Sequence, residues 1–288
     1  MIKNTIFFLI LFVNFSFISL FLKIDLKNNV RVIIEPGMQL NQISSILKEN
    51  NLIKNKFIFE SWIKINFLEK KLKYGEYLFI NEVSIYSIQK KLVEGKSLNR
   101  KITIVEGWSK KDLLLYLNNL SIREKLRIEN IPDNIVADTY FYKVSDNPMQ
   151  ILDIIISKSN DISSKIWEER DETIPLKNIS EMFILASIVE KETSLKKERS
   201  IISGVFYNRI EKKMRLQSDP TVVYAITLGK RKMERNLSRK DLKIDSKYNT
   251  YVNKGLPPSP ICFPGVESLQ GTAKPYKSNY LYFVSNNL

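Results

Sequence analysis

LASIVEKET, Leu185 to Thr193, is an apolar run that closes on two carboxylates. Apolar residues lie nearly all round the helix that this run predicts, which requires burial on most sides and sets the segment in the middle of a core. Asn178 and Glu181 stand in capping-box spacing at its start. Glu192 follows Val189 and Ile188 by three and four residues, so it shares their face. Glu190 sits about 200° away around the axis, beside Ala186 and Ser187. A carboxylate at the end of a buried stripe loses water, and the helix C-terminus disfavours negative charge; both effects raise its pKa. A Glu tuned in this way holds a proton near neutral pH and can give it to a leaving group. The plainer alternative is two exposed last-turn residues paired with Lys191, Lys196 or Arg199.

Toward the C-terminus, Ile201, Ile202, Val205, Phe206 and Ile210 predict a second core helix. Asp219-Pro220 is a strong helix start, with Asp capping free N–H groups and Pro presetting φ at the first position. Gln217 lies just outside that start. Its amide both donates and accepts, which suits sugar hydroxyls and equally suits an ordinary loop. Tyr248-Asn249-Thr250-Tyr251 is a polar–aromatic cluster on a loop, and four of the ten prolines follow within residues 257–264. So stiff a loop loses little entropy on ordering and can hold one wall of a groove. Tyrosine rings and amides in such a wall match carbohydrate faces and N-acetyl groups. A purely structural loop explains the prolines but not the cluster beside them.

Toward the N-terminus, Val30 to Ile34 alternates like a strand, Glu35-Pro36-Gly37 is a turn, and Leu40, Ile43, Ile46 and Leu47 recur at helical spacing. Ile102 to Val105, Glu106-Gly107 and then Leu113, Leu114 and Leu117 repeat that layout. Between them, Tyr74 to Ile80 reads as a strand, followed by a helix carrying Ile85, Ile88 and Leu92 up to Gly95. These units predict a small α+β module over residues 28–122. The polar, irregular stretch 119–147 reads as a boundary, and an amphipathic helix over 151–166 opens a second domain, of mixed α/β character, over 130–288.

Asn4 to Leu22 contains nineteen residues without a charge, between Lys3 and Lys23. A helix of that length reaches about 28 Å, close to the thickness of a bilayer's hydrocarbon. No small-residue cleavage site comes after it, so residues 1–23 are expected to be a retained transmembrane anchor rather than a signal peptide. Lysines flank both ends, which leaves orientation to the short N-terminal stub, expected to stay inside. The net charge of +14 fits an anionic partner or a merely solvated basic surface. No zinc spacing, ribonucleoprotein signature or recognition-helix pattern accompanies it, so no nucleic-acid partner is expected. The chain has no His, which excludes Ser-His-Asp and Cys-His catalysis and His-ligated metals. The lone Cys262 allows no intramolecular disulfide.

Seven blocks in order carry a family resemblance: LASIVEKET, Glu198-Arg199, GVFYNRI (Gly204 to Ile210), MRLQSDPTVVYAI (Met214 to Ile226), YNTY, GLPPSPICFPG, and YLYFV (Tyr280 to Val284). Together they resemble the YceG-like endolytic murein transglycosylases (MltG), and the N-terminal module resembles that family's LysM-type domain in layout. The resemblance implies an α+β fold and a single-pass inner (cytoplasmic) membrane enzyme facing the periplasm or cell wall. It implies cleavage of the β-1,4 bond between N-acetylmuramic acid and N-acetylglucosamine within peptidoglycan strands, leaving 1,6-anhydro-muramic ends. Cell-wall synthases are the implied associates. The family's catalytic Glu falls on Glu192, in agreement with the face reading. One carboxylate suffices for this chemistry because the sugar's own C6 hydroxyl is the nucleophile, already tethered. Glu192 would protonate the glycosidic oxygen and then take the C6 hydroxyl proton, with neither metal nor organic cofactor. Gln217, Tyr248, Asn249 and Tyr251 are expected to line the saccharide groove.

The match departs from the family pattern in two places. Members usually continue past the YLYFV strand with a glycine-rich stretch, a His-x-Phe element and a final helix, whereas this sequence stops at Leu288. In the block where the family tends to have Pro-Asp-Thr-Tyr, Ala137 precedes Asp138, Thr139 and Tyr140. The first departure leaves room for a rival reading, a non-catalytic cell-wall-binding scaffold. A second rival, a lysozyme-type hydrolase, differs by the sugar end it would leave.

Overall fold

A computed structural model describes residues 20–120 and 125–283. The anchor expected at 4–22 therefore lies outside the described residues, save for its last three. Among the described residues no helix is long and apolar enough to cross a membrane. The chain divides into two compact units, one of residues up to 100 with 141–146, the other of 101–140 with 147 onward.

In the first unit β1 (Ile24–Asp25) pairs antiparallel with β4 (Glu82–Val83), and β2 (Val30–Ile34) pairs antiparallel with β3 (Gly75–Phe79). Val32 faces Tyr77 in register, and the alternation read from the sequence buries Val32 and Ile34 on one side of β2. Three helices cover these ribbons: α1 (Leu40–Glu49), α2 (Lys56–Ile65) and α3 (Ile85–Glu94). Leu47, Phe59, Ile63, Ile88 and Leu92 are fully buried between them. Ser84 and Ser87 close a reciprocal cap at the start of α3. Buried Glu76 is held by Arg31 at 3.3 Å and Arg100 at 3.0 Å, so its charge is paired.

The second unit is built mainly of helices: α4 (Lys110–Asn119), α5 (Pro148–Glu168), α6 (Ile179–Glu192), α7 (Lys196–Glu211), α8 (Asp219–Thr227) and α9 (Val266–Ala273). Its β structure is slight. The chain crosses the division within β5 (Arg100–Thr103) and β6 (Thr139–Tyr142) and again after Asp146, and a parallel bridge joins Ala137 to Gly265. Helix α6 is buried at every position from Met182 to Val189, as an all-round apolar run requires. It packs against α7, α8, α9 and α5, with Phe206, Leu216 and Leu269 among its buried neighbours. Asn178 caps it by accepting the Glu181 N–H at 3.0 Å. The Glu181 carboxylate reaches one residue further back than the box spacing implies, accepting the Lys177 N–H at 2.7 Å.

Three sequence expectations are corrected. The strand–turn–helix over 102–117 belongs to the second unit, not to the N-terminal module. The division falls after Arg100 because tertiary bonds hold residues 107 and 108 to the proline-rich loop: the Gly107 N–H donates to the Phe263 carbonyl and the Phe263 N–H to that of Trp108. Residues 280–283 of YLYFV form no strand. Side chains take the place of a partner strand there, Asn208 donating to the Ser278 and Tyr280 carbonyls and Arg209 to that of Leu281. Asp219 does not cap α8; Ser218 occupies the cap position, and the Asp219 carboxylate turns to the Tyr251 hydroxyl.

Residues 276–278 lie directly on the backbone of α7. The Tyr276 N–H donates to the Ser200 carbonyl at 3.0 Å, and a Cβ placed on Gly204 would stand 2.3 Å from the Tyr276 carbonyl oxygen. Gly204→Ala must therefore push this segment off the helix. The expected loss is about 1–3 kcal/mol, read as a lower thermal unfolding midpoint.

Candidate active site

The two carboxylates at the end of α6 have opposite surroundings. The Glu190 side chain is only 5% exposed and accepts three hydrogen bonds: Arg199 Nη2 at 2.8 Å, the Gly265 N–H at 2.9 Å and Ser268 Oγ at 2.8 Å. Burial pushes its pKa up, and these three donors oppose the shift. Arg199, 2% exposed, also reaches Glu106 at 2.8 Å. A Cβ on Gly265 would stand 2.4 Å from Glu106 Oε1, so any larger residue here must displace the Glu106 side chain from Arg199. Glu190 thus binds α6, α7 and the start of α9 together. It is committed to structure.

Glu192, half-buried, meets no cation directly among the described residues. Its Oε1 accepts the Ser218 hydroxyl at 2.5 Å. Loss of water raises its pKa; the Ser218 bond opposes this, the negative charge of Asp219 adds to it, and Arg209 opposes it from further off. The buried Arg209 guanidinium is itself engaged with backbone, donating to the Leu281 carbonyl at 2.7 Å and the Leu216 carbonyl at 2.6 Å. The result is a desolvated carboxyl that holds its proton more firmly than in water.

The four expected groove residues fall into different places. Gln217 is exposed next to Ser218, in a left-handed conformation at φ 49°, with its N–H on the Thr250 carbonyl. Tyr251 donates its hydroxyl to Asp219 Oδ1 at 2.6 Å and lies in the electrostatic field of Glu192. Tyr248 is half-buried, its ring 4.7 Å from that of Tyr224 and its hydroxyl 2.8 Å from Ser259 Oγ. Asn249 is fully buried. Its amide donates to the Leu242 and Ile244 carbonyls and accepts the Tyr251 N–H, so it shapes the loop from inside. Sequence reasoning overlooked Ser218 and Arg209. The signal for Ser218 was its place immediately before the Asp-Pro helix start.

A cavity of about 460 Å³ elsewhere in this unit is lined by Glu169, Lys196, Ser200, Glu267, Gln270 and Lys274 among others. Its charges neutralise one another through the Lys196–Glu267 and Lys274–Glu169 pairs, and it holds no desolvated acid comparable to Glu192.

The profile of the YceG-like family matches residues 32–288. The chain belongs to the YceG-like family. A Bacillus subtilis (strain 168) protein named endolytic murein transglycosylase is 32% identical, over 91% of this chain and 80% of its own length. A Streptococcus pneumoniae protein of the same name is 28% identical over 90% of this chain, which spans only 55% of that longer relative. A solved structure of a YceG-like protein from Listeria monocytogenes superposes with a TM-score of 0.51 at 29% identity, covering 91% of this chain and 95% of its own.

The clamp and the acid make different predictions for stability. Arg199→Ala would leave the Glu190 charge buried without its cation, at an expected cost of about 3–5 kcal/mol in chemical unfolding. For Glu192 the folded-state pKa lies above the unfolded value. Between the two values the folded state holds the extra proton, so stability falls as pH rises through that window. Glu192→Gln removes the fall. Urea unfolding at about pH 4 and about pH 7 should show the variant gaining on wild type at the higher pH.

Proposed function

We propose that this chain is a membrane-anchored peptidoglycan lytic transglycosylase, a non-hydrolytic lyase, with Glu192 as acid and then base. The observation that carries the reading is the desolvated Glu192, with no direct cation among the described residues, two residues from a carboxylate held by Arg199, Gly265 and Ser268. A half-buried carboxyl that holds its proton more firmly than in water fits the first step: the proton passes to the glycosidic oxygen as the bond from C1 of muramic acid breaks. The C6 hydroxyl of the same sugar closes on C1 and returns its proton to Glu192, leaving the 1,6-anhydro end. The names of the relatives, endolytic murein transglycosylase, support peptidoglycan as the substrate.

Gln217 and Tyr251, beside the acid, are proposed to contact the saccharide, with Tyr248 supporting them and Asn249 holding their loop in shape. The expected anchor over residues 1–23 would place the enzyme on the inner membrane, facing the cell wall and its synthases. A lysozyme-type hydrolase would need a second carboxylate beside the substrate. Glu190 cannot serve, being held by Arg199, and Asp219 is engaged by Tyr251. A scaffold without turnover would give the desolvated acid no work.

Purified peptidoglycan digested by the full chain should yield anhydro-muramic ends by mass spectrometry. Glu192→Gln should lower turnover by at least about a hundredfold while still sedimenting with the polymer. Reducing ends would indicate the hydrolase instead, and binding without cleavage by the wild type would indicate the scaffold.

A further inference from the structure

We infer that Ser218 is a positioning residue for the proposed reaction, its hydroxyl holding Oε1 of Glu192 as a permanent acceptor so that Oε2 carries the proton that is delivered and recovered. This rests on the reading of Glu192 as the acid–base group. Three features of the geometry support it.

First, Ser218 stands at the N-cap of α8, where a serine ordinarily accepts a hydrogen bond from the first turn of its own helix. It makes no such bond, and its hydroxyl donates to Glu192 instead. Second, its backbone is pinned on both sides by a ring of buried hydroxyls. The Ser218 N–H donates to Thr250 Oγ1 at 3.0 Å, and Thr221 Oγ1 donates to the Ser218 carbonyl at 2.7 Å. Thr221 has thereby committed its only hydroxyl proton, so the 2.8 Å contact between the two threonines must be a donation from Thr250. Every proton of the ring is assigned, and Ser218, a residue 1% exposed, has its hydroxyl on Glu192. Third, the residue before it, Gln217, is held at φ 49°, a conformation that costs a side-chain-bearing residue, with its N–H tied to the Thr250 carbonyl. Strain, ring and forgone cap all act on the same hydroxyl.

The proton accounting is simple. When Glu192 is charged, Oε1 accepts from Ser218. When Oε2 is protonated, Oε1 is the carbonyl oxygen and accepts the same bond. The bond survives both halves of the cycle, and only Oε2 changes state.

The test uses the full chain in detergent with glutamate labelled by carbon-13 at the side-chain carboxyl, and Glu192→Gln to assign the signal. Removing a donor that favours the charged form should raise the Glu192 titration midpoint in Ser218→Ala, while Ser218→Thr, which keeps the hydroxyl, should restore it. On peptidoglycan, Ser218→Ala should lower kcat about tenfold at unchanged KM. Its alkaline limb should move up with the midpoint, and Ser218→Thr should recover both. If Ser218→Ala does not fold, Ser218→Cys, a weaker donor of similar shape, is held to the same criteria. An unmoved midpoint together with an inactive Glu192→Gln overturns the role of Ser218 alone. Wild-type cleavage by Glu192→Gln, an arm that does not involve Ser218, overturns the proposed function and the role of Ser218 with it.

Discussion

The Glu190 carboxylate is the point on which the second unit closes. A lone buried carboxylate is costly, and this one is tolerable only because a guanidinium, a backbone N–H and a hydroxyl converge on it from α7 and the start of α9. The same face of α6 is joined to the proline-rich loop one turn earlier, where Ser187 Oγ accepts the Ile261 N–H at 3.0 Å and the Ser187 carbonyl accepts Cys262 Sγ at 3.3 Å. With that face fixed, the last turn of α6 has no freedom to rotate. Glu192, on the far side of the helix, is presented in one direction, toward Ser218.

Two carboxylates of identical chemistry, two residues apart, therefore take different roles through their neighbours alone. Glu190 has a cation at contact distance, shared with Glu106, and two further donors, whereas Glu192 receives one neutral hydroxyl and lies in the field of a guanidinium already engaged with two carbonyls. Cys262 shows how thorough burial is on the clamped side: its thiol is pushed up to about 12 by loss of water, which makes it a packing group and not a nucleophile.

Much of this was legible in the chain. An all-round apolar run admits one environment, so α6, its Asn178 cap and its place in the core could be read from local pattern, and the face relation separated Glu192 from Glu190 before any contact was known. Choices settled by distant partners could not be read. Asp219 has the right chemistry to cap α8, but the Tyr251 hydroxyl, 32 residues away in sequence, takes its carboxylate. Asn249 has an amide suited to sugars, yet the carbonyls of Leu242 and Ile244 claim it. The unit boundary was misplaced for the same reason, since the strand–turn–helix after Arg100 resembles its N-terminal counterpart and only its bonds to Phe263 and Arg199 assign it. Tyr280 to Phe283 read like a strand, but among the described residues side chains of α7, not a partner strand, take their carbonyls.

For the proposed reaction, a chain without histidine must move protons near neutral pH by some other side chain, and a carboxyl does so when the fold withholds water from it. Withholding water destabilises the charged form and so weighs on the folded state wherever that form must exist. Such a group needs a well-buried element to hold it. Helix α6, buried through eight consecutive positions from Met182 to Val189 and clamped at Glu190, provides one. The position of the proposed acid, one turn beyond this buried stretch, thus meets both demands: further in, the charge would need a cation such as the one Glu190 has, and further out, it would be hydrated and would hold its proton less firmly.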